Sequence, residues 1–211
     1  MADSAERLFT GQTGQTFVTL TLVATVVKTG RYVLPPLMPT IIIDLGIMSF
    51  MAGIALTTMT VLYAVTQYPS GRVSDQLSRK TLLAAVGCVS LALALLSMTP
   101  VYLVLLVGAA LLGVDDGLFS PPARARLSDL FAERRGQAFA VRMVALDIGG
   151  VAASGLAGAV LVVAVWQAAF VPLGLLLALF GLLYLTWDRE RVVLATASLD
   201  ARATVRRLAT F

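Results

Sequence analysis

Three stretches of this chain, residues 45–71, 81–114 and 148–187, contain no Asp, Glu, Lys or Arg. A helix that crosses the hydrocarbon core of a bilayer needs about 20 predominantly apolar residues. Each stretch is long enough to span a membrane, and the last two are long enough to do so twice or nearly so. The 81–114 run breaks at Met98-Thr99-Pro100. The 148–187 run breaks near Trp166-Gln167, where an aromatic ring beside a polar side chain marks the water boundary. A first span that tolerates Lys28 and Arg31, and a fifth that begins near Gln137, complete the count. The sequence therefore predicts an all-α integral membrane protein of six helices, over 17–43, 47–70, 81–98, 101–122, 137–164 and 167–187.

Composition excludes most alternatives. Only 13% of the 211 residues are charged, against about 25% in soluble domains, so the chain cannot cover a water-facing surface. Disorder and nucleic-acid binding are excluded too, because the net charge of +4 arises from Arg residues scattered between apolar runs and not from a basic face. There is no His, and the single Cys88 lies in an apolar run as a small packing residue. No nucleophile–base pair or metal-ligand cluster stands in or beside the spans, so neither an enzyme nor a metal or cofactor site is expected.

The basic residues set the orientation. With the amino terminus inside, the cytoplasmic segments hold 13 of the 16 Lys and Arg, while the three outer loops hold none. That asymmetry is the positive-inside pattern, and it places both termini in the cytoplasm of a multi-pass cell-membrane protein. Residues 1–16 form a cytoplasmic segment, 17–187 the transmembrane domain and 188–211 a cytoplasmic tail. The first 16 residues lack a basic n-region, so helix 1 is expected to be retained and not cleaved as a signal peptide.

Between spans 2 and 3 the chain reads Gly71-Arg72-Val73-Ser74-Asp75-Gln76-Leu77-Ser78-Arg79-Lys80. Gly71 permits a tight turn, and Asp75 can cap a helix or pair with a cation, which would lock two helix ends together. This loop resembles the helix 2–3 motif of the major facilitator superfamily, G-x-x-x-D-[RK]-x-G-[RK]-[RK]. Gly71, Asp75, Arg79 and Lys80 match, while Gln76 and Ser78 depart from it. Span 1, with Gly30-Arg31, Leu34-Pro35-Pro36-Leu37-Met38-Pro39 and Asp44-Leu45-Gly46, is similar to that family's opening helix, and Gly113–Leu130 resembles its fourth helix and following loop.

The resemblance covers residues 17–187 and implies the amino-terminal six-helix half of a transporter, a 3+3 inverted repeat whose helices 1, 2, 4 and 5 face a cavity. It implies a small solute, a lipid bilayer and a second six-helix half as partners, and Asp75 as a conformational latch. The family's fourth-helix Arg would fall at Ala109 and is absent. Its antiporter motif survives only as the small residues Gly150, Gly155 and Gly158 without a proline, enough for close helix packing but no basis for drug/proton antiport. The tail resembles the start of the linker between halves. Two copies, a second chain or a longer transporter would each complete the unit, and an end in mid-linker favours the last.

Charges within the membrane cost a few kcal/mol each on insertion scales. Counting about 1.5 Å per residue, Lys28, Arg31 and Asp147 form a middle layer, roughly 15 to 21 Å from the cytoplasmic end. Asp115, Asp116 and Arg142 form an inner layer at about 8 to 11 Å. The middle layer is the candidate substrate and coupling site, with the two cations attracting an anionic group and Asp147 as their counter-charge or as a protonatable switch. The inner layer reads first as ion pairs that hold helices in register, a role that is the second reading for the middle one. Tyr63 and Gln67, four apart on span 2, either line the cavity or pack against lipid.

Overall fold

The computed structural model describes residues 8–9, 11–163 and 165–187, with side chains except those of 12, 72–84, 163 and 184–187. The described backbone is helical: α1 Gly11–Leu45, α2 Ser49–Ser97, α3 Tyr102–Leu130, α4 Arg135–Val163, a short 3₁₀ turn Trp166–Ala169 and α5 Phe170–Trp187. The chain is an all-α membrane fold. Five helical segments are long and apolar enough to cross a bilayer, and Ala85–Ser97 is a shorter apolar one.

The expected turn at Gly71 is replaced by helical backbone that runs from Ser49 to Ser97. A straight helix would nevertheless separate Met59 from Leu93 by about 51 Å, and the two lie at one level of α3. A Cβ at Gly113 would overlap the Met59 backbone, while Leu93 and Leu112 both approach Gly30. Ser70 Oγ donates to Leu118 O at 2.9 Å, and Cys88 Sγ to Leu111 O at 3.8 Å. The first limb therefore runs parallel to α3 and the second antiparallel, so the chain reverses between Ser70 and Ala85. Five spans and one shorter apolar limb result among the described residues. Asp75, Arg79 and Lys80, expected from the sequence to form a latch, lie outside the described side chains.

Small residues and prolines decide how closely the limbs approach. α1 ends where Gly46 takes φ +60°, with Ile47 N–H bonded to Ile42 O and Gly46 N–H to Ile43 O, a left-handed cap that only glycine adopts freely. Gly113 and Gly117, one turn apart on α3, seat the first α2 limb, since a Cβ at Gly117 would strike Thr66 Oγ1. α4 rests on α1 through Gly149, whose carbonyl accepts from Thr29 Oγ1 at 3.1 Å. Gly150, Gly155 and Gly158, expected as packing glycines, instead have nothing within 4 Å of a hypothetical Cβ. They lie off the α4 face that carries Gly149, Ala153 and Ala157, because a residue one step along a helix turns by about 100°.

α3 also departs from its expected limits, running past Pro121 and Pro122 to Leu130. Pro122 has no N–H for Leu118 O, and the Ser70 hydroxyl supplies the missing hydrogen bond.

Candidate functional site

Four limbs enclose a cleft of about 280 Å³. α1 contributes Ala24, Lys28, Arg31 and Tyr32, the first α2 limb Tyr63, α3 Asp116, Phe119, Ser120 and Arg124, and α4 Arg142, Met143 and Leu146. The spacings of three, four and eight residues put each set on one helix face. The second α2 limb and α5 contribute none of these lining residues.

Two ion pairs cross the cleft. Arg31 Nη1 donates to Asp116 Oδ2 at 2.5 Å, with both side chains largely buried. Ser120 Oγ donates to the other Asp116 oxygen at 3.1 Å. The Arg31 guanidinium also lies over the Tyr63 ring, 4.2 Å from its centroid, a cation–π contact. Lys28 Nζ meets Asp147 Oδ1 at 3.3 Å and stands 5.4 Å from the Tyr32 ring centroid. Asp147, which touches Lys28 but is not itself among the lining residues, is 72% exposed.

This arrangement alters the depth sorting. Asp116 joins Arg31 in one layer, because the two are ion-paired, and Asp116 stands some 14 residues, about 21 Å, from the end of α3 at Leu130. Asp115 lies on another face of α3, fully buried, with neither oxygen hydrogen-bonded among the described residues. Arg142 has no ion-pair partner among the described residues, and its Nε is buried without an acceptor. The inner trio is thus not a set of ion pairs. Tyr63 lines the cleft; Gln67, one turn further, does not.

Sequence reading passed over Ser120 and Arg124. Their offsets of four and eight from Asp116 were the available signal, hidden because the helix was expected to stop at 122. Among the described residues no group of His, Cys, Asp and Glu could hold a metal.

A bundle of membrane-crossing helices around a charged, one-sided cleft is the architecture of half a membrane transporter. Residues 20–209 match the family model of the Major Facilitator Superfamily, and the chain belongs to that superfamily. The fold is similar to tetrameric PepTSo2 at a TM-score of 0.73 and 18% identity, over 93% of this chain and 46% of that one. It is similar to a bacterial homolog of the human lysosomal transporter Spinster, inward-facing and unoccupied, at 0.74 and 18%, over 85% and 43%. A structure concerning proton-dependent oligopeptide transporters matches at 0.71 and 19%, over 93% and 46%. The chain spans less than half the length of these solved proteins. No curated protein sequence matches it significantly.

Proposed function

We propose that the chain is the amino-terminal six-helix half of a secondary transporter that moves a small solute by alternating access. The observation that carries this reading is the cleft itself: four helices bring two ion pairs to mid-depth, and one of them leaves Asp147 exposed. Charges so placed are costly in lipid unless they face water, a ligand or another protein surface. Transporters built from six-helix halves bind solute between the halves and rock about that site. A second half, from the same chain, another chain or a second copy, would close the cleft. The domain division is 1–16, 17–187 and 188–211, with both termini in the cytoplasm of a cell-membrane protein.

In this reading Lys28, Arg31, Tyr63 and Asp147 border the solute path. Asp147 is the coupling carboxylate for a proton, and Asp75 is the latch. Gln67, off the cleft wall, is not assigned a solute contact. The proton dependence and oligopeptides named for the neighbours make a proton gradient and short peptides the first conditions to assay.

Flux into proteoliposomes, measured with and without a candidate second half, tests the proposal. Asp147→Asn is expected to insert and fold but lose pH-driven uptake, and adding Lys28→Gln is expected to restore stability without restoring coupling. Coupled flux in the double variant would return Lys28 and Asp147 to a structural role. Orientation is checked in a Cys88→Ala background with an impermeant thiol reagent on intact cells. Met98→Cys should label and Ala132→Cys should not; the reverse pattern would invert the topology.

A further inference from the structure

The carboxylates of the cleft are already engaged, and the cations outnumber them. Lys28, Arg31, Arg124 and Arg142 line it, against Asp116 on the wall and Asp147 in contact with Lys28. Asp116 is held by Arg31 and Ser120, and Asp147 by Lys28. The surplus falls on α3 and α4, where Arg142 is 3% exposed yet borders the cleft. Among the described residues its Nε has no acceptor, and it forms no ion pair with Asp116 or Asp147.

A guanidinium buried without a counter-charge is costly, and its planar fork of donors matches carboxylate and phosphate oxygens two at a time. Arg124 is exposed at the same wall, eight residues and so about 12 Å along α3 from Asp116. Both cations line the cleft, and neither is ion-paired to Asp116 or Asp147, whose partners are Arg31 and Lys28.

We propose that Arg142 and Arg124 form an oxyanion site in the cleft, which takes the carboxylate or phosphate group of an anionic ligand. Arg31 and Lys28, each with its own counter-ion, are then positioning and coupling residues and not the anion's ligands. The site rests on the transport reading only for where the anion goes next. Its binding chemistry stands on the Arg142 geometry. A dissolved anion and a lipid headgroup present the same oxygens, so the test separates them.

The full chain is reconstituted in phosphatidylcholine nanodiscs, and binding of labelled inorganic phosphate and of succinate is measured by equilibrium dialysis at fixed ionic strength set with chloride. Saturable binding of one or both is expected. Arg124→Gln, a change at an exposed position, should weaken it about ten-fold, and Arg142→Lys should weaken it as well, since an ammonium lacks the fork. Arg142→Gln should abolish it. Nanodiscs that contain phosphatidylglycerol identify the occupant. If they block phosphate in the wild type and Arg142→Gln loses its retention of that lipid, the headgroup is the ligand. If phosphate binding is unchanged, the ligand is a dissolved anion.

The site is overturned if Arg124→Gln and Arg142→Lys bind as tightly as wild type, or if the wild type binds neither phosphate, succinate nor the anionic lipid. Binding is read without flux. Flux lost with binding intact would sink the transport reading alone, and binding absent with flux intact would sink the oxyanion site alone.

Discussion

The two ion pairs of the cleft look alike in sequence but differ in energy, and a double-mutant cycle on each should show it. Arg31 and Asp116 are 15% and 19% exposed and 2.5 Å apart. Breaking a fully buried pair costs about 3–5 kcal/mol, because the remaining charge is left unpaired. With a fifth or less of each side chain still open, the coupling between Arg31→Gln and Asp116→Asn is expected at about 2–3 kcal/mol. Lys28 and Asp147 are 23% and 72% exposed and 3.3 Å apart, so their coupling should stay below about 1 kcal/mol, as for surface pairs. Arg31→Gln also loses the contact with Tyr63, worth about 0.5–2 kcal/mol, but the cycle cancels it because it is absent from both Arg31 variants. The assay is reversible unfolding in mixed micelles, followed by far-UV circular dichroism. A Lys28–Asp147 coupling equal to or larger than that of Arg31–Asp116 would refute the reasoning. It would mean that exposure to the open cleft does not screen the pair.

Three further perturbations use the same unfolding assay. Asp115→Val, which replaces a buried carboxyl that no described residue hydrogen-bonds by an apolar group of similar size, should stabilise the fold by about 1–3 kcal/mol; an equal loss would show that Asp115 has a partner. Gly117→Ala should cost about 1–3 kcal/mol through overlap with Thr66 and the Tyr63 carbonyl. Gly155→Ala and Gly158→Ala, with nothing in reach of a Cβ, should change stability by less than about 0.5 kcal/mol, and equal effects at all three positions would contradict the packing. Trp166→Phe removes the Nε1–H donated to Asp44 at 2.8 Å, which ties the C-terminal end of α1 to the 3₁₀ turn before α5, and should cost about 1.5–3 kcal/mol; a silent variant would mean that water replaces the indole.

The membrane-crossing runs were legible because lipid forbids charge over a fixed length, a constraint that acts on sequence directly. Helix ends were less legible. The fourth span was expected to stop at 122, yet the Ser70 hydroxyl, some 50 residues away in sequence, satisfies the carbonyl that Pro122 leaves open. That single substitution of donor lets α3 run on to Leu130. Arg31 and Asp116 were in view, but depths counted from the expected helix ends put this ion pair in separate layers. The same extension hid Arg124, which belonged to a loop when the span stopped at 122.

Which face a helix turns inward was the least legible feature, for a reason specific to membranes. Lipid is as apolar as a protein core, so a helix that is hydrophobic all round gives no stripe to read. α4 shows the consequence. Gly149, Ala153 and Ala157 are buried against the bundle, while Val144, Ile148 and Val151 on the other side are exposed. Phe50, Ile54, Val61 and Val65 of the first α2 limb are exposed too. Hydrocarbon could cover these side chains as well as protein could. It cannot cover Asp147 on that same exposed face of α4 without a penalty of a few kcal/mol. The apolar exposure leaves the choice of neighbour open, whereas the carboxylate beside it requires water or polar surface. A charge on an otherwise apolar exposed face of α4 is therefore the physical argument for water or polar surface beside Asp147.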